Sequence, residues 1–146
     1  MKKALVSIAG LILLVSLVGY SKEDKQNFYG IYTFEKVEYL SPLSSSTVDY
    51  VEEQMAGAEY TIEADLFKIE SNNKYNRVEI SSPNYVREKI PNRSIISNKV
   101  ESQYNIDTTH RRLYVSSDSL WIASYVDNTA DGLGIIMDIY KLSKIH

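Results

Sequence analysis

The chain predicts an all-β domain with one short helix, a small antiparallel barrel or sandwich. Three observations carry that expectation. Short apolar runs with period-two alternation recur between turn-forming clusters along most of the 146 residues. The tight links between them favour antiparallel neighbours. Tyrosine outnumbers phenylalanine twelve to three, and an apolar ring with a polar tip suits strands and half-exposed surfaces.

The first twenty residues stand apart. Met1-Lys2-Lys3 is a basic start, and Ala4 to Val18 is an uncharged apolar run of 15 residues closed by Gly19. That is the pattern of a secretory signal, and it falls short of the roughly 20 apolar residues of a spanning helix. Leu17-Val18-Gly19-Tyr20 has the shape of a lipobox with Tyr20 where the lipid-accepting cysteine would stand. Three outcomes stay open: a replaced cysteine, cleavage near Gly19 by a general signal peptidase, or retention as an N-terminal anchor. Export, with membrane contact only through this segment, is the expectation. Residues 21–27 read as a flexible tether, and 28–146 as one barrel domain with a single core.

The elements follow in order. Gly30 to Leu40 is a strand in which Tyr32 and Phe34 share one face and Val37 and Tyr39 the other, so the phase shift predicts a bulge or a strong bend. Ser41 to Ser46 breaks it. A helix fits Thr47 to Ala56, capped by Ser46, with Val48, Val51 and Met55 on one face and Gly57 as terminator. Strands follow over 58–63, with Tyr60 and Ile62 together, and over 66–70, with Phe67 and Ile69 together. Ser71 to Lys74 is a turn, and 75–80 a strand. Ser81 to Asn84 is a further break. Residues 85–107 read as a strand followed by irregular structure. A hairpin pairs 112–117 with 120–126. A turn ending in Asp131-Gly132 leads to a closing strand over 133–142, with Ile135, Met137 and Ile139 on one face and Ile136, Tyr140 and Leu142 on the other. The order is one strand, a short helix over an open end, then about seven strands.

This arrangement resembles the small lipocalin-like proteins exported by Gram-positive bacteria. The resemblance spans residues 28–143. It rests on Gly30-Ile31-Tyr32, where lipocalins open their first strand with Gly-x-Trp. It rests too on the helix and Gly57 before YTIEADLFKIE, and on Asp131-Gly132 before IIMDIYKL. It implies an up-and-down barrel able to hold a small apolar ligand, and no enzyme activity.

The composition excludes several chemistries. There is no cysteine, so no disulfide, thiol nucleophile or thiolate metal site. The formal charge of −3 becomes −5 once Lys2 and Lys3 leave with the leader, which gives no general attraction to nucleic acid. Two histidines, one of them the last residue, make no zinc site, and no serine sits in Gly-x-Ser-x-Gly. No metal or cofactor is expected.

The candidate ligand lining is Tyr32, Phe34, Tyr60, Phe67, Tyr114 and Trp121 with Met137, all apolar bodies on expected strands. The alternative is that these rings simply fill the interior. His110-Arg111-Arg112 is the one dense positive cluster. Arg111 and Arg112, placed at a barrel rim, could hold a carboxylate or phosphate by a bidentate fork. Glu59, Glu63, Asp65 and Glu70 alternate as a solvent face would. Two functions of different kinds follow. One is an exported envelope protein holding a small apolar or amphiphilic molecule. The other is an envelope interaction module of inhibitor or immunity type, its barrel filled.

Overall fold

The computed structural model describes residues 26–91, 95–127 and 134–146. The leader, most of the tether, and the Asp131-Gly132 motif lie outside the described residues. The strands are β1 (Gly30–Leu40), β2 (Glu59–Ile62), β3 (Leu66–Glu70), β4 (Val78–Ser81), β5 (Tyr85–Glu88), β6 (Ser102–Ile106), β7 (Arg111–Val115), β8 (Leu120–Val126) and β9 (Ile135–Lys144). One helix, α1 (Val48–Met55), separates β1 from β2. All pairings are antiparallel, in the order β4-β3-β2-β1-β9-β8-β7-β6-β5. The last strand pairs with the first, and the sheet curls through 245°. This is an all-β, up-and-down, lipocalin-like barrel with a seam.

The seam has a specific construction. Strands β4 and β5 lie at opposite edges of an alternating nine-strand sheet, so they run in the same direction. Only Ser82, Pro83 and Asn84 separate them. They are therefore two halves of one bent strand that changes partner midway. Ser82 N–H still donates to Asp65 on the β3 side (2.8 Å), while Asn84 carbonyl already accepts from Asp107 beside β6 (3.0 Å). Pro83, which has no N–H to give a ladder, stands at the exchange. Counted this way the barrel has eight strands.

Other expectations meet the structure in detail. The phase shift in β1 appears as two register shifts against β9, between Phe34 and Lys36 and between Val37 and Tyr39. Val37 N–H donates to the Glu52 carboxylate of α1 (3.1 Å), which ties the helix to the irregular stretch. Thr47 rather than Ser46 caps α1, accepting from Tyr50 N–H at 3.3 Å. Met55 is buried, but Val48 at the first helical position is exposed. Tyr75 lies in a 3-10 turn (Lys74–Asn76), 83% exposed, because the Asn73 side chain accepts its N–H and nucleates the turn. The stretch read as irregular contains β6. In β9 a register shift between Ser124 and Tyr125 moves Ile136 to the face of Ile139, so the expected alternation holds only from Asp138 onward.

Gly57 follows α1 at φ +73° with open space where a Cβ would stand. Gly57→Ala should therefore cost only the left-handed backbone term, about 1 kcal/mol, read as a shifted urea midpoint at constant slope. A loss well above 2 kcal/mol would mean that the space is filled.

Both faces of the sheet are buried in part. The concave core takes Phe28, Tyr60, Ile62, Phe67, Ile106 and Leu113, all within 1% exposure. A second cluster on the convex face packs Ile96 from the β5–β6 connection against Tyr114, Trp121, Ala123 and Ile139. Strands β7 and β8 are covered on both sides. That explains their continuous apolar runs, Leu113-Tyr114-Val115 and Leu120 to Ala123.

Candidate functional site

Strand alternation sorts the expected site residues. Tyr32, Tyr60 and Phe67 are buried on the concave face, and Phe34 packs there against Tyr140 with ring centres 5.5 Å apart. Tyr114 and Trp121 belong to the convex cluster. Met137 lies at the β8–β9 irregularity, its carbonyl accepting from Ser41 N–H at 2.8 Å. The seven residues therefore do not share one lining. The concave rings mostly contact one another and the aliphatic core.

The three residues of the basic cluster also part. His110, at φ +53°, is exposed and pairs with Asp127 at 2.7 Å. Adjacent residues of a strand face opposite ways, so Arg111 and Arg112 separate. Arg112 turns to the convex side, 3% exposed. Its Nε donates to Glu88 at 2.9 Å, and its guanidinium lies 4.0 Å from the Tyr125 ring centre. Gln103 donates to the same Glu88 oxygen at 2.7 Å. Arg112 is thus committed to a structural network. Arg111 turns inward to the barrel mouth.

That mouth, on the side of α1, holds a small pocket. It measures about 120 Å³, and Tyr60, Asn76, Arg111, Ser124, Asp138 and Tyr140 supply its polar lining beside Met55. An apolar cavity of roughly 150 Å³ admits a benzene ring, so a pocket of this volume has room only for a small group. Arg111 Nη1 donates to the Thr109 carbonyl at 3.2 Å, and no carboxylate lies within ion-pair distance among the described residues. Asp138 Oδ1 accepts from Ser124 N–H at 3.2 Å. The Tyr60 hydroxyl makes no hydrogen bond among the described residues, although the residue is 1% exposed. Sequence reading found Arg111 and Tyr60 but missed Asp138 and Tyr140. Their signal is a carboxylate and a phenol two positions apart, hence on one face of the closing strand.

Two other depressions are larger. One of about 730 Å³ runs along β2–β4 between Glu59, Glu70 and Glu79, with Lys68 and Arg77 interspersed. Glu70 is paired with Lys68 at 2.8 Å. Glu63 and Asp65 are exposed, as a solvent face requires. The other, about 390 Å³, lies at the opposite barrel end beside Phe28, the β7–β8 turn and the end of β9. No cluster of three metal-ligating side chains occurs among the described residues.

Burial pushes the Tyr60 phenol well above its ordinary range, with Tyr140 and Asp138 adding to it. Burial does the same to Tyr140, reinforced by Asp138, and to Tyr85. These phenols stay protonated at neutral pH. In the unfolded chain they titrate near pH 10. A folded pKa above the unfolded one leaves stability whole below about pH 10 and erodes it as pH rises further. The urea midpoint should therefore fall steadily above pH 10, with part of the tyrosinate absorbance appearing only on unfolding. Titration of all twelve tyrosines near pH 10 with unchanged stability would contradict the burial.

Compared with known proteins, the chain matches no family model, no curated protein and no solved structure. The geometry alone carries the functional reading.

Proposed function

We propose that this chain is an exported, non-catalytic binding protein of the lipocalin-like kind, which engages a small amphiphile by its polar head at the barrel mouth. The observation that carries this reading is the mouth pocket itself. It combines a phenol that makes no hydrogen bond among the described residues with a half-buried guanidinium that meets no carboxylate there, so both have donor capacity left for a ligand. The apolar part of the ligand would lie at the rim, over Met55 and Ile69, because the barrel beyond is packed. The leader supports export, and the missing lipobox cysteine leaves retention at the outer face of the membrane or release into the medium.

A second reading, an envelope interaction module, draws on the packed concave face and on exposed tyrosines beside α1. Tyr50 lies on the helix, and Tyr75 lies on the turn bound to it through the Asn73–Gln54 hydrogen bond (3.0 Å). Tyrosine is favoured at interfaces.

Native mass spectrometry of protein purified gently from its own envelope fraction separates the two. A reproducible small added mass, lost on denaturation, supports the small-ligand reading. A bare polypeptide mass, or a stoichiometric protein partner, supports the second.

A further inference from the structure

The polar groups of the mouth define the ligand head more closely. We propose that the pocket accepts a small zwitterionic group, a carboxylate and an ammonium on one short scaffold, as in an α-amino acid. The inference rests on the small-ligand reading above.

Arg111 and Asp138 line one pocket without pairing with each other, for no ion pair joins them. Both charges act on both phenols, Tyr60 and Tyr140, so they flank the same small space. An anion alone would gain from Arg111 and be repelled by Asp138; a cation alone would meet the reverse. A ligand carrying both charges satisfies both at once, and desolvation makes that matching worth more than it is at the surface. Arg111 offers a planar fork suited to a carboxylate. The Tyr60 hydroxyl, protonated and without a hydrogen-bond partner, is a further donor to that carboxylate. The Asp138 carboxylate takes the Ser124 N–H and lies in hydrogen-bonding contact with the Tyr140 hydroxyl, and its remaining lone pairs can accept an ammonium proton, with the phenol rings as neighbouring faces for a cation. At about 120 Å³ the pocket has room for such a head and little else.

The test is calorimetric titration of the purified protein with L-alanine, acetate, methylammonium and octanoate in turn. The proposal expects L-alanine to bind about tenfold or more tighter than acetate or methylammonium. Asp138→Asn, which keeps an acceptor for Ser124 N–H, should abolish that preference. Tyr60→Phe, which breaks no protein hydrogen bond, should weaken alanine binding severalfold with an unchanged thermal midpoint. Acetate or octanoate binding as tightly as alanine would overturn the zwitterion while leaving the small-ligand reading standing. Alanine binding unaffected by Asp138→Asn would also overturn it. Absence of binding by all four probes would remove both.

Discussion

Phe28→Ala should destabilise the domain by about 3–5 kcal/mol, the usual cost of emptying a fully buried aromatic site. Phe28 precedes β1 and is 1% exposed. Its ring meets Tyr29, Tyr85 and Tyr104 with centres 5.2, 5.3 and 4.6 Å apart. Tyr85 belongs to the half-strand after the partner exchange, and its hydroxyl reaches back to the Glu63 carbonyl at 3.0 Å. Phe28 therefore fills the space where the sheet does not close on itself. Its carbonyl also accepts from the Tyr32 hydroxyl at 2.8 Å, which pins the chain entering β1. Urea unfolding reads the effect directly. A loss under about 1 kcal/mol would show that the seam closes without this ring.

Glu88→Ala should cost about 3 kcal/mol, because it removes the carboxylate facing a guanidinium that is 3% exposed. Gln103 loses its acceptor in the same change, and its Oε1 is already buried without a partner. The double variant Glu88→Ala, Arg112→Met should recover most of that loss, since it takes the buried charge away as well. A double-mutant cycle in urea measures the coupling. Near-additive losses would contradict an energetic link between the two. The network sits outside the barrel wall, so neither change should alter ligand binding at the mouth.

Much of the fold was legible because it follows from local pattern. The β1 irregularity was visible as a slip in the alternation of Tyr32, Phe34, Val37 and Tyr39. Turn chemistry located the ends of β2, β3 and β8. The change of partner at Ser82–Asn84 was not legible, because a sequence break marks a turn and a sharp bend alike. Only the ladders on either side decide which it is. Strand β6 was hidden for a related reason: its faces carry Gln103 and Asn105, which are polar yet belong to a network with Glu88, Arg112 and Tyr125. A buried polar face reads as a solvent face when its partners are distant in sequence.

The site was legible in part. Arg111 and Tyr60 were named, but in different roles, one at a rim and one among lining rings. A strand beginning at residue 112 leaves Arg111 and Arg112 together at a rim, whereas β7 begins at Arg111. Starting it at Arg111 sends the two side chains to opposite faces. Tyr114 and Trp121 were assigned to the interior because the segment that covers them outside, around Ile96 and Val100, carried no recognisable pattern of its own.

The most direct measurement is a high-resolution crystal structure of the protein purified from its own envelope with no ligand added. The expected result is compact non-protein density at the barrel mouth, within hydrogen-bond reach of the Tyr60 hydroxyl and the Arg111 guanidinium. A mouth closed by the protein's own side chains, with Arg111 paired to Asp138, would contradict it.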